Sequence, residues 1–307
     1  MTKPNIALIG APIDCGKRRN GCLMGPDSLR TAGLAESIEA LGFTVNDLGD
    51  LDPGPLDLND DAHLHAKSAV IQWQKTLSAA TIDRLQTDLP IFMGGDHAMA
   101  LGTLHGAAAY AAQVNRPLFV LWLDAHTDYH TLHTTQSGNL HGTPMGYVTG
   151  RAGFDGFPDV PHPIPLDRVC MIGLRSVDAA EKTALQKSNF HNVDMRAIDE
   201  GGIVRPLNAF LDQVARANGL LHVSFDVDFL DPEVAPAVGT TVPGGATLRE
   251  AHLVMEMLSD SGLMTSMDIA ELNPFLDERG RTASTIVDLI SSAFGKRIFD
   301  RPTQSGA

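Results

Sequence analysis

Short runs of hydrophobic residues recur along the chain, and longer segments with helical spacing lie between them. Most runs are rich in Leu or β-branched residues and lack strict alternation, which is typical of strands buried on both faces. They are Ile6–Gly10, Leu89–Gly94, Leu118–Asp124, Val169–Leu174, Leu220–Asp226 and Thr265–Ile269. The predicted helices are Pro26–Leu41, Ala98–Gln113, Pro206–Asn218, Leu248–Ser259 and Thr282–Phe294. Strands that alternate with such helices predict a parallel sheet covered on both faces.

The composition favours one globular domain over residues 1–307. The chain has 307 residues, of which 43% are hydrophobic, so it can bury a full core. The segments Asp50–Asp61 and Gly150–Asp167 are rich in Pro, Asp or Gly, and we expect them to be loops rather than linkers. No predicted strand is followed by a GxGxxG or phosphate-binding lysine loop, so the sequence does not indicate a nucleotide-binding fold.

The charge of the chain argues against two classes of partner. With 23 Lys+Arg and 37 Asp+Glu the net charge is −14, whereas nucleic acids and anionic membranes are bound by basic patches. No apolar run is long enough to span a bilayer, and no signal peptide is expected. The three cysteines (Cys15, Cys22 and Cys170) form no CxxC motif, which favours reduced thiols in a cytoplasmic protein.

Possible metal ligands follow four of the predicted strands. The clusters are Gly94-Gly95-Asp96-His97, Asp124-Ala125-His126-Thr127-Asp128, Asp226-Val227-Asp228 and Asp268-Ile269-Ala270-Glu271. Ligands of open α/β sheets bind beyond the carboxyl ends of the strands, so we expect these clusters to converge. In an extended chain, residues two apart point to the same side, which would align Asp124, His126 and Asp128.

Each cluster taken alone has an ordinary explanation as a cap, a turn or a structural histidine. Together, however, several unneutralised carboxylates placed after apolar strands would be costly without cations. Two imidazoles and four carboxylates suit two ions that share bridging carboxylates. Nitrogen and oxygen ligands without thiolate favour Mn²⁺ over a structural zinc, with Fe, Co and Ni as competitors.

The ordered set of motifs resembles the signature of the arginase (ureohydrolase) family. The resemblance rests on Gly-Gly-Asp-His97, Asp124–Asp128, Ser137-Gly-Asn-Leu-His-Gly142, Ser224–Asp228, Leu230-Asp-Pro232, Gly239–Gly245, Asp268–Pro274 and Phe294–Arg297. It implies a three-layer α/β/α sandwich with a mostly parallel sheet of about eight strands. It further implies a hydrolase with two Mn²⁺ per subunit that converts L-arginine to L-ornithine and urea. Within the family, the Ser137–His141 segment is more similar to arginases than to agmatinases or formimidoylglutamases.

The resemblance also implies a metal-ligand set. His97, Asp124, Asp128 and Asp226 would bind one manganese, while His126, Asp124, Asp226 and Asp228 would bind the other. Asp124 and Asp226 would therefore bridge the two ions. A hydroxide between the ions would be the nucleophile, since coordination lowers the pKa of water towards neutrality. Asp128 would orient that hydroxide by accepting its hydrogen bond.

The same resemblance assigns the substrate contacts. His141 would be a proton shuttle for the leaving amine, since imidazole titrates near neutral pH. Glu271 would pair with the guanidinium group, which a carboxylate can bind bidentately, with Thr240 beside it. Thr135 and Ser137 would contact the α-carboxylate, and Asp178 the α-ammonium group.

One position departs from the family pattern. His130 stands where many arginases have an Asn that contributes to carboxylate recognition. L-arginine is the expected substrate, but N-hydroxyarginine, guanidinobutyrate or agmatine remain alternatives. A non-catalytic metal-binding sensor or scaffold is a remote alternative, because the chain keeps every ligand. The family resemblance implies a homotrimer or homohexamer.

Overall fold

A computed structural model describes residues 3–297, so residues 1, 2 and 298–307 of the predicted domain lie outside the described residues. Eight strands form one sheet: β1 Ile6–Ala11, β2 Val45–Asp50, β3 Leu89–Gly94, β4 Leu118–Leu123, β5 Val169–Leu174, β6 His191–Asp194, β7 Leu220–Asp226 and β8 Met264–Ala270. The strand order is β2-β1-β3-β8-β7-β4-β5-β6. Every neighbouring pair is parallel, as the sequence pattern predicts.

Helices cover both faces of this sheet. They are α1 Gly25–Thr31, α2 Leu34–Glu39, α3 Lys67–Arg84, α4 Ala100–Gln113, α5 Pro144–Val148, α6 Ala179–Leu185, α7 Met195–Gly201, α8 Val204–Arg216, α9 Leu248–Ser261 and α10 Arg281–Ala293. Ile6 and Leu8 pack into a core with α1, α2 and α7 to α10, whereas Ala7 and Ile9 pack with α3, α4 and α5 on the other face. The predicted three-layer α/β/α architecture is confirmed.

The strands β2 and β6 are absent from the sequence prediction. Both lie at the edges of the sheet, and most of their residues are exposed. An edge strand has less apolar surface to bury than a central one, so the sequences Val45–Asp50 and His191–Asp194 contain no hydrophobic run. The six predicted strands are β1, β3, β4, β5, β7 and β8, each buried over most or all of its length.

The helix predictions differ from the structure at two places, one helix that is divided and one that is missing. The predicted helix Pro26–Leu41 is two helices, α1 and α2, because Gly33 adopts a left-handed conformation with φ 85° between them. Helix α3 was not predicted, although it has 18 residues. Its buried side includes the polar residues Gln74, Ser78 and Thr81. These residues interrupt the apolar periodicity from which a helix is predicted.

The order of the strands decides which loops can meet. Strands β3, β8, β7 and β4 are consecutive neighbours at the centre of the sheet. The four predicted ligand clusters lie at or just beyond their carboxyl ends, so the fold brings these clusters to one edge. Cys15, Cys22 and Cys170 are buried free thiols. Among the described helices, none is both long enough and apolar enough to cross a membrane.

Candidate active site

Tight turns, rather than extended chain, present the carboxylates after β4 and β7. Asp124 Oδ1 accepts the backbone N–H of His126 at 2.6 Å, and Asp226 Oδ1 accepts that of Asp228 at 2.7 Å. Asp228 Oδ1 in turn accepts the backbone N–H of Ala125 at 3.0 Å, which ties the two turns together. The prediction of an extended backbone over Asp124–Asp128 is therefore wrong, although the side chains of this segment do meet.

His97 reaches the same point from β3 because the two glycines that precede Asp96, Gly94 and Gly95, allow close packing of the backbone. A Cβ on Gly95 would lie 1.7 Å from the carbonyl oxygen of Ile13, and one on Gly94 would lie 1.9 Å from Met99 Sδ. The chain then begins a 3₁₀ turn, His97–Met99. The His97 ring stacks on the Trp122 ring of β4, with the centroids 4.1 Å apart.

The histidines and carboxylates form two clusters that share Asp124. In the first, His97 Nδ1 lies 3.2 Å from Asp124 Oδ2 and 2.9 Å from Asp226 Oδ2. Asp128 Oδ2 is 3.4 Å from the same nitrogen. In the second, His126 Nδ1 lies 3.4 Å from Asp124 Oδ1 and 3.0 Å from Asp228 Oδ2. The two oxygens of Asp124 thus face different histidines, as a bridging ligand requires.

The chemistry of these clusters fits a pair of cations. Within the described part of the chain, His97 Nδ1 and Asp124 Oδ2 are buried and make no well-formed hydrogen bond, although other ligand atoms lie close by, which is costly for polar atoms unless something else binds them. Burial and the neighbouring Asp124 carboxylate raise the pKa of Asp128 well above its usual range. Burial and Asp228 do the same to the pKa of Asp226. Divalent cations would relieve this crowding of negative charge.

A chain of buried hydrogen bonds supports His97 from behind. His97 Nε2 contacts Ser224 Oγ at 2.9 Å, and Ser224 Oγ donates to Asp268 Oδ1 at 2.5 Å. Asp268 Oδ2 also contacts His222 Nε2 at 3.0 Å and accepts from Thr103 at 2.6 Å. Asp268, which the sequence placed among the clusters, therefore lies behind the ligands rather than among them.

A pocket of about 280 Å³ opens above the two clusters. Eleven of the thirteen site residues predicted from the sequence line it: His126, Asp128, His130, Thr135, Ser137, His141, Asp178, Asp226, Asp228, Thr240 and Glu271. The other two, His97 and Asp124, lie next to the lining residues Asp128 and Asp226 and are fully buried. The fold thus gathers every predicted site residue around one pocket.

One wall of the pocket carries both acidic and histidine side chains. His130 Nε2 lies 2.9 Å from Asp178 Oδ2, while Asp178 Oδ1 caps helix α6 through the backbone N–H groups of Ala180 and Glu181. Glu181 is buried, and its Oε1 accepts from Thr127 Oγ1 at 2.6 Å. Thr135 Oγ1 and Ser137 Oγ lie 3.4 Å apart on the loop that precedes His141.

Glu271 lies deep in the pocket, and both of its carboxylate oxygens have partners there. Its Oε1 accepts the backbone N–H of His97 at 2.9 Å and contacts His141 Nδ1 at 3.0 Å. Its Oε2 pairs with Lys17, and both side chains are buried. The backbone of Glu271 has φ 70° and that of Asp128 has φ 45°. Such strained conformations of non-glycine residues concentrate at functional sites.

Lys17 and Glu181 are absent from the sequence prediction. Lys17 lies on the loop after β1, a strand that pairs with β3. A polar residue soon after a buried strand was the signal used for the other clusters, and it applies to Lys17 as well. Glu181 carries a weaker signal, since a Glu three residues after Asp178 predicts only a capping box.

The fold and the site define a three-layer α/β protein whose centre can hold paired metal ions. The arginase family model matches residues 4–295, and the chain belongs to the arginase family. An arginase of Agrobacterium fabrum is 55% identical over 96% of this chain and 92% of its own length. An arginase of Bacillus subtilis is 37% identical over 95% and 98%. The crystal structure of Bacillus caldovelox arginase matches with a TM-score of 0.90 and 37% identity, over 97% of this chain and all of that one.

Proposed function

We propose that this chain is an arginase that hydrolyses the guanidinium group of L-arginine to L-ornithine and urea. The observation that carries the proposal is the convergence of the paired His–Asp clusters and the eight other predicted site residues on one pocket. Full-length relatives at 55% identity that bear the name arginase support the same substrate.

Six residues would hold the two metal ions. His97, Asp124, Asp128 and Asp226 would bind one, and His126, Asp124, Asp226 and Asp228 the other. We propose Mn²⁺, because imidazole and carboxylate ligands without thiolate suit it. When bound, the pair would supply hydroxide at neutral pH by lowering the pKa of water. Asp128 would orient the attacking oxygen by accepting its hydrogen bond.

His141 would carry the proton that the leaving amine requires. A carboxylate can only accept a hydrogen bond, so the proton of the His141–Glu271 contact belongs to His141 Nδ1. His141 Nε2 is then the nitrogen free to exchange a proton with the substrate. Glu271 would also meet the guanidinium group. An ionised carboxylate offers about four acceptor sites. In the structure three are occupied by His97, His141 and Lys17, and the Cys22 thiol, a weak donor, lies 3.9 Å from Oε2.

The outer part of the pocket would bind the amino-acid end of the substrate. Thr135, Ser137 and His130 offer hydroxyl and imidazole donors to an α-carboxylate, and Asp178 offers an acceptor to an α-ammonium group. Thr240 would lie beside the guanidinium end. His130 and Asp178 contact each other in the structure. A substrate with an α-carboxylate and an α-ammonium group can replace this contact, with the carboxylate bound by His130 and the ammonium group by Asp178. This geometry favours an amino acid over agmatine, which lacks the carboxylate.

Assembly and location complete the proposal. We expect a homotrimer or homohexamer in the cytoplasm, with a small-molecule substrate and neither nucleic acid nor membrane as partner. The acidic net charge of −14 supports the exclusion of polyanionic partners. Light scattering coupled to size-exclusion chromatography would measure the mass of the particle, and a monomer would contradict the predicted assembly.

The decisive experiment measures urea release from arginine, agmatine, guanidinobutyrate and N-hydroxyarginine with Mn²⁺ and after chelation. We expect arginine to have the highest kcat/KM, and we expect chelation to abolish release until Mn²⁺ is restored. A preference for another substrate would overturn the choice of arginine alone. Full activity in the metal-free protein would overturn the proposed mechanism, and no release from any substrate would overturn the function.

A further inference from the structure

The loop that follows β1 is fixed against the loop that carries His141. The carbonyl oxygen of Gly16 accepts the backbone N–H of Leu140 at 2.6 Å and that of His141 at 3.0 Å. The N–H of Gly16 donates to Asp96 Oδ2 at 2.7 Å. Only glycine fits here, since a Cβ at position 16 would lie 2.2 Å from Asp96 Oδ1. The next residue, Lys17, is therefore held at a defined place under the pocket.

Lys17 is 2% exposed and pairs with Glu271, which is 4% exposed. The Lys17 amine also lies close to the loop that carries Thr240. A Cβ added to Gly239, the preceding residue of that loop, would be 3.0 Å from Lys17 Nζ. Although burial lowers the pKa of Lys17, the Glu271 carboxylate raises it above its ordinary value. Burial likewise opposes ionisation of Glu271, but Lys17 and His141 hold the pKa of that carboxyl well below its usual range. The pair is thus ionic.

The Glu271 carboxylate connects Lys17 to His141, since its Oε2 pairs with Lys17 and its Oε1 contacts His141 Nδ1 at 3.0 Å. A charged carboxylate accepts the Nδ1 proton and leaves Nε2 of the ring free. Without Lys17, the buried carboxylate would lose the charged partner of its Oε2 oxygen, so the Glu271 side chain would rotate or shift in the pocket. Either change would alter the tautomer or the orientation of the His141 ring.

We propose that Lys17 is a positioning residue that acts through Glu271 to hold His141 in the orientation and tautomer needed for proton transfer. This inference rests on the proposed function, in which His141 is the proton shuttle. It gives Glu271 a role besides contact with the guanidinium group. It also predicts that removal of Lys17 impairs the chemical step more than substrate binding.

A double-mutant cycle tests the proposal with Lys17→Met, which removes the charge and keeps most of the length of the side chain. We expect Lys17→Met to lower kcat by about tenfold or more and to raise KM by a smaller factor, since the main loss lies in proton transfer. In a His141→Asn background, Lys17→Met should lower kcat by less than about twofold, because the group it positions is already gone. Equal effects of Lys17→Met in both backgrounds would overturn the proposal, as would an unchanged kcat in the otherwise wild-type enzyme.

The matched control is Lys75→Met, which changes an exposed lysine on α3 and should leave both kcat and KM unchanged. Circular dichroism and Mn²⁺ titration identify folded variants that still bind metal. If Lys17→Met does not fold, Lys17→Gln enters the same cycle. Its amide can still donate to Glu271, so the loss of kcat should be smaller, and equal effects in both backgrounds would again overturn the proposal.

A second measurement does not depend on turnover. Nitrogen-15 spectra of histidine-labelled full-length protein without a paramagnetic ion, assigned with His141→Asn, report the tautomer of His141. We expect the Nδ1-protonated form in the wild type and its partial loss in the Lys17 variant. An unchanged tautomer would overturn the role of Lys17. If the wild type with Mn²⁺ released no urea, the proposed function would fail, whereas the spectra would still decide whether Lys17 positions His141.

Discussion

At the scale of single residues, the site depends on carboxylates that use their two oxygens differently. Asp124 Oδ1 accepts the backbone N–H of His126, whereas its Oδ2 faces His97. Asp226 divides its oxygens in the same way between Asp228 and His97. Each of these two side chains therefore stabilises its turn with one oxygen and offers the other oxygen as a potential metal ligand. Substitution of either would affect both the backbone of the turn and metal binding.

Asparagine at position 141 should separate proton transfer from the other steps. We expect His141→Asn to lower kcat by about 10²-fold, the lower end of the usual contribution of general acid–base catalysis, and added imidazole to restore part of it. Steady-state urea release checks this. The control His133→Asn changes a loop histidine with 69% of its side chain exposed and should be neutral. An unchanged kcat in His141→Asn would remove its assigned role.

Position 130 should control recognition of the substrate carboxylate. If His130 donates to that group, His130→Ala should lower kcat/KM for arginine by about tenfold or more, the loss expected for a hydrogen bond to a charged group, and leave agmatine nearly unaffected. The ratio of the two kcat/KM values measures the effect. An equal loss for both substrates would instead place His130 outside carboxylate recognition and assign it a role in holding Asp178.

At the scale of secondary-structure elements, two neighbouring central strands support His97, the proposed metal ligand that follows β3. Ser224 and His222 project from β7, and Asp268 projects from β8; together they form the hydrogen-bonded chain behind His97. Hydrogen bonds to the second nitrogen of a ligating histidine fix its orientation and tautomer. The polar residues in these otherwise apolar strands thus have a reason that strand packing alone does not provide.

Removal of the Ser224 hydroxyl should therefore weaken metal binding. We expect Ser224→Ala to lower Mn²⁺ affinity by about 10–100-fold, as is typical when the partner of a metal ligand is lost. Isothermal titration of the metal-free protein checks this. The control Ser291→Ala changes another buried serine, whose hydroxyl donates to Val287 on α10 at 2.7 Å, and should leave the affinity unchanged. Equal affinities in the two variants would contradict the role of the chain.

At the scale of the whole molecule, the buried carboxylates connect metal binding to stability. The pKa values of Asp128 and Asp226 are raised by burial and by the neighbouring carboxylates Asp124 and Asp228, respectively. A group whose pKa is higher in the folded than in the unfolded state stabilises the fold at low pH, and that stability is lost as the pH rises through the folded-state pKa. The free energy of unfolding of the metal-free protein should therefore fall as the pH rises, with a contribution from each of these two carboxyl groups.

Manganese should reverse that loss. Ligands must be deprotonated to bind, so the increase in Tm on addition of Mn²⁺ should be larger at about pH 8 than at about pH 6. At a free concentration 100 times the Kd, each site contributes about 2.7 kcal/mol to the free energy of unfolding. Differential scanning calorimetry with and without chelator measures the shift. Asp57→Asn, which changes an exposed loop acid, should respond like the wild type. A larger shift at low pH would contradict the coupling.

The elements that could be predicted from the sequence differ from those that could not in how much apolar surface they bury. The six central strands could be predicted because each must bury both faces, which requires an apolar run. The edge strands β2 and β6 bury less, and α3 places Gln74, Ser78 and Thr81 on its buried side. Local pattern is therefore a poor guide to these three elements, and only their packing shows why they form.

The sequence by itself determined the architecture, the residue types of a paired-cation centre and the motifs of its family, because each follows from burial or from ligand chemistry within short segments. Only the tertiary structure decided which side chains meet. It showed that Asp268 supports His97 from behind, that His130 contacts Asp178, and that Lys17 pairs with Glu271 across more than 250 positions of sequence. Such long-range contacts depend on the order of strands in the sheet, and no local pattern in the chain encodes that order.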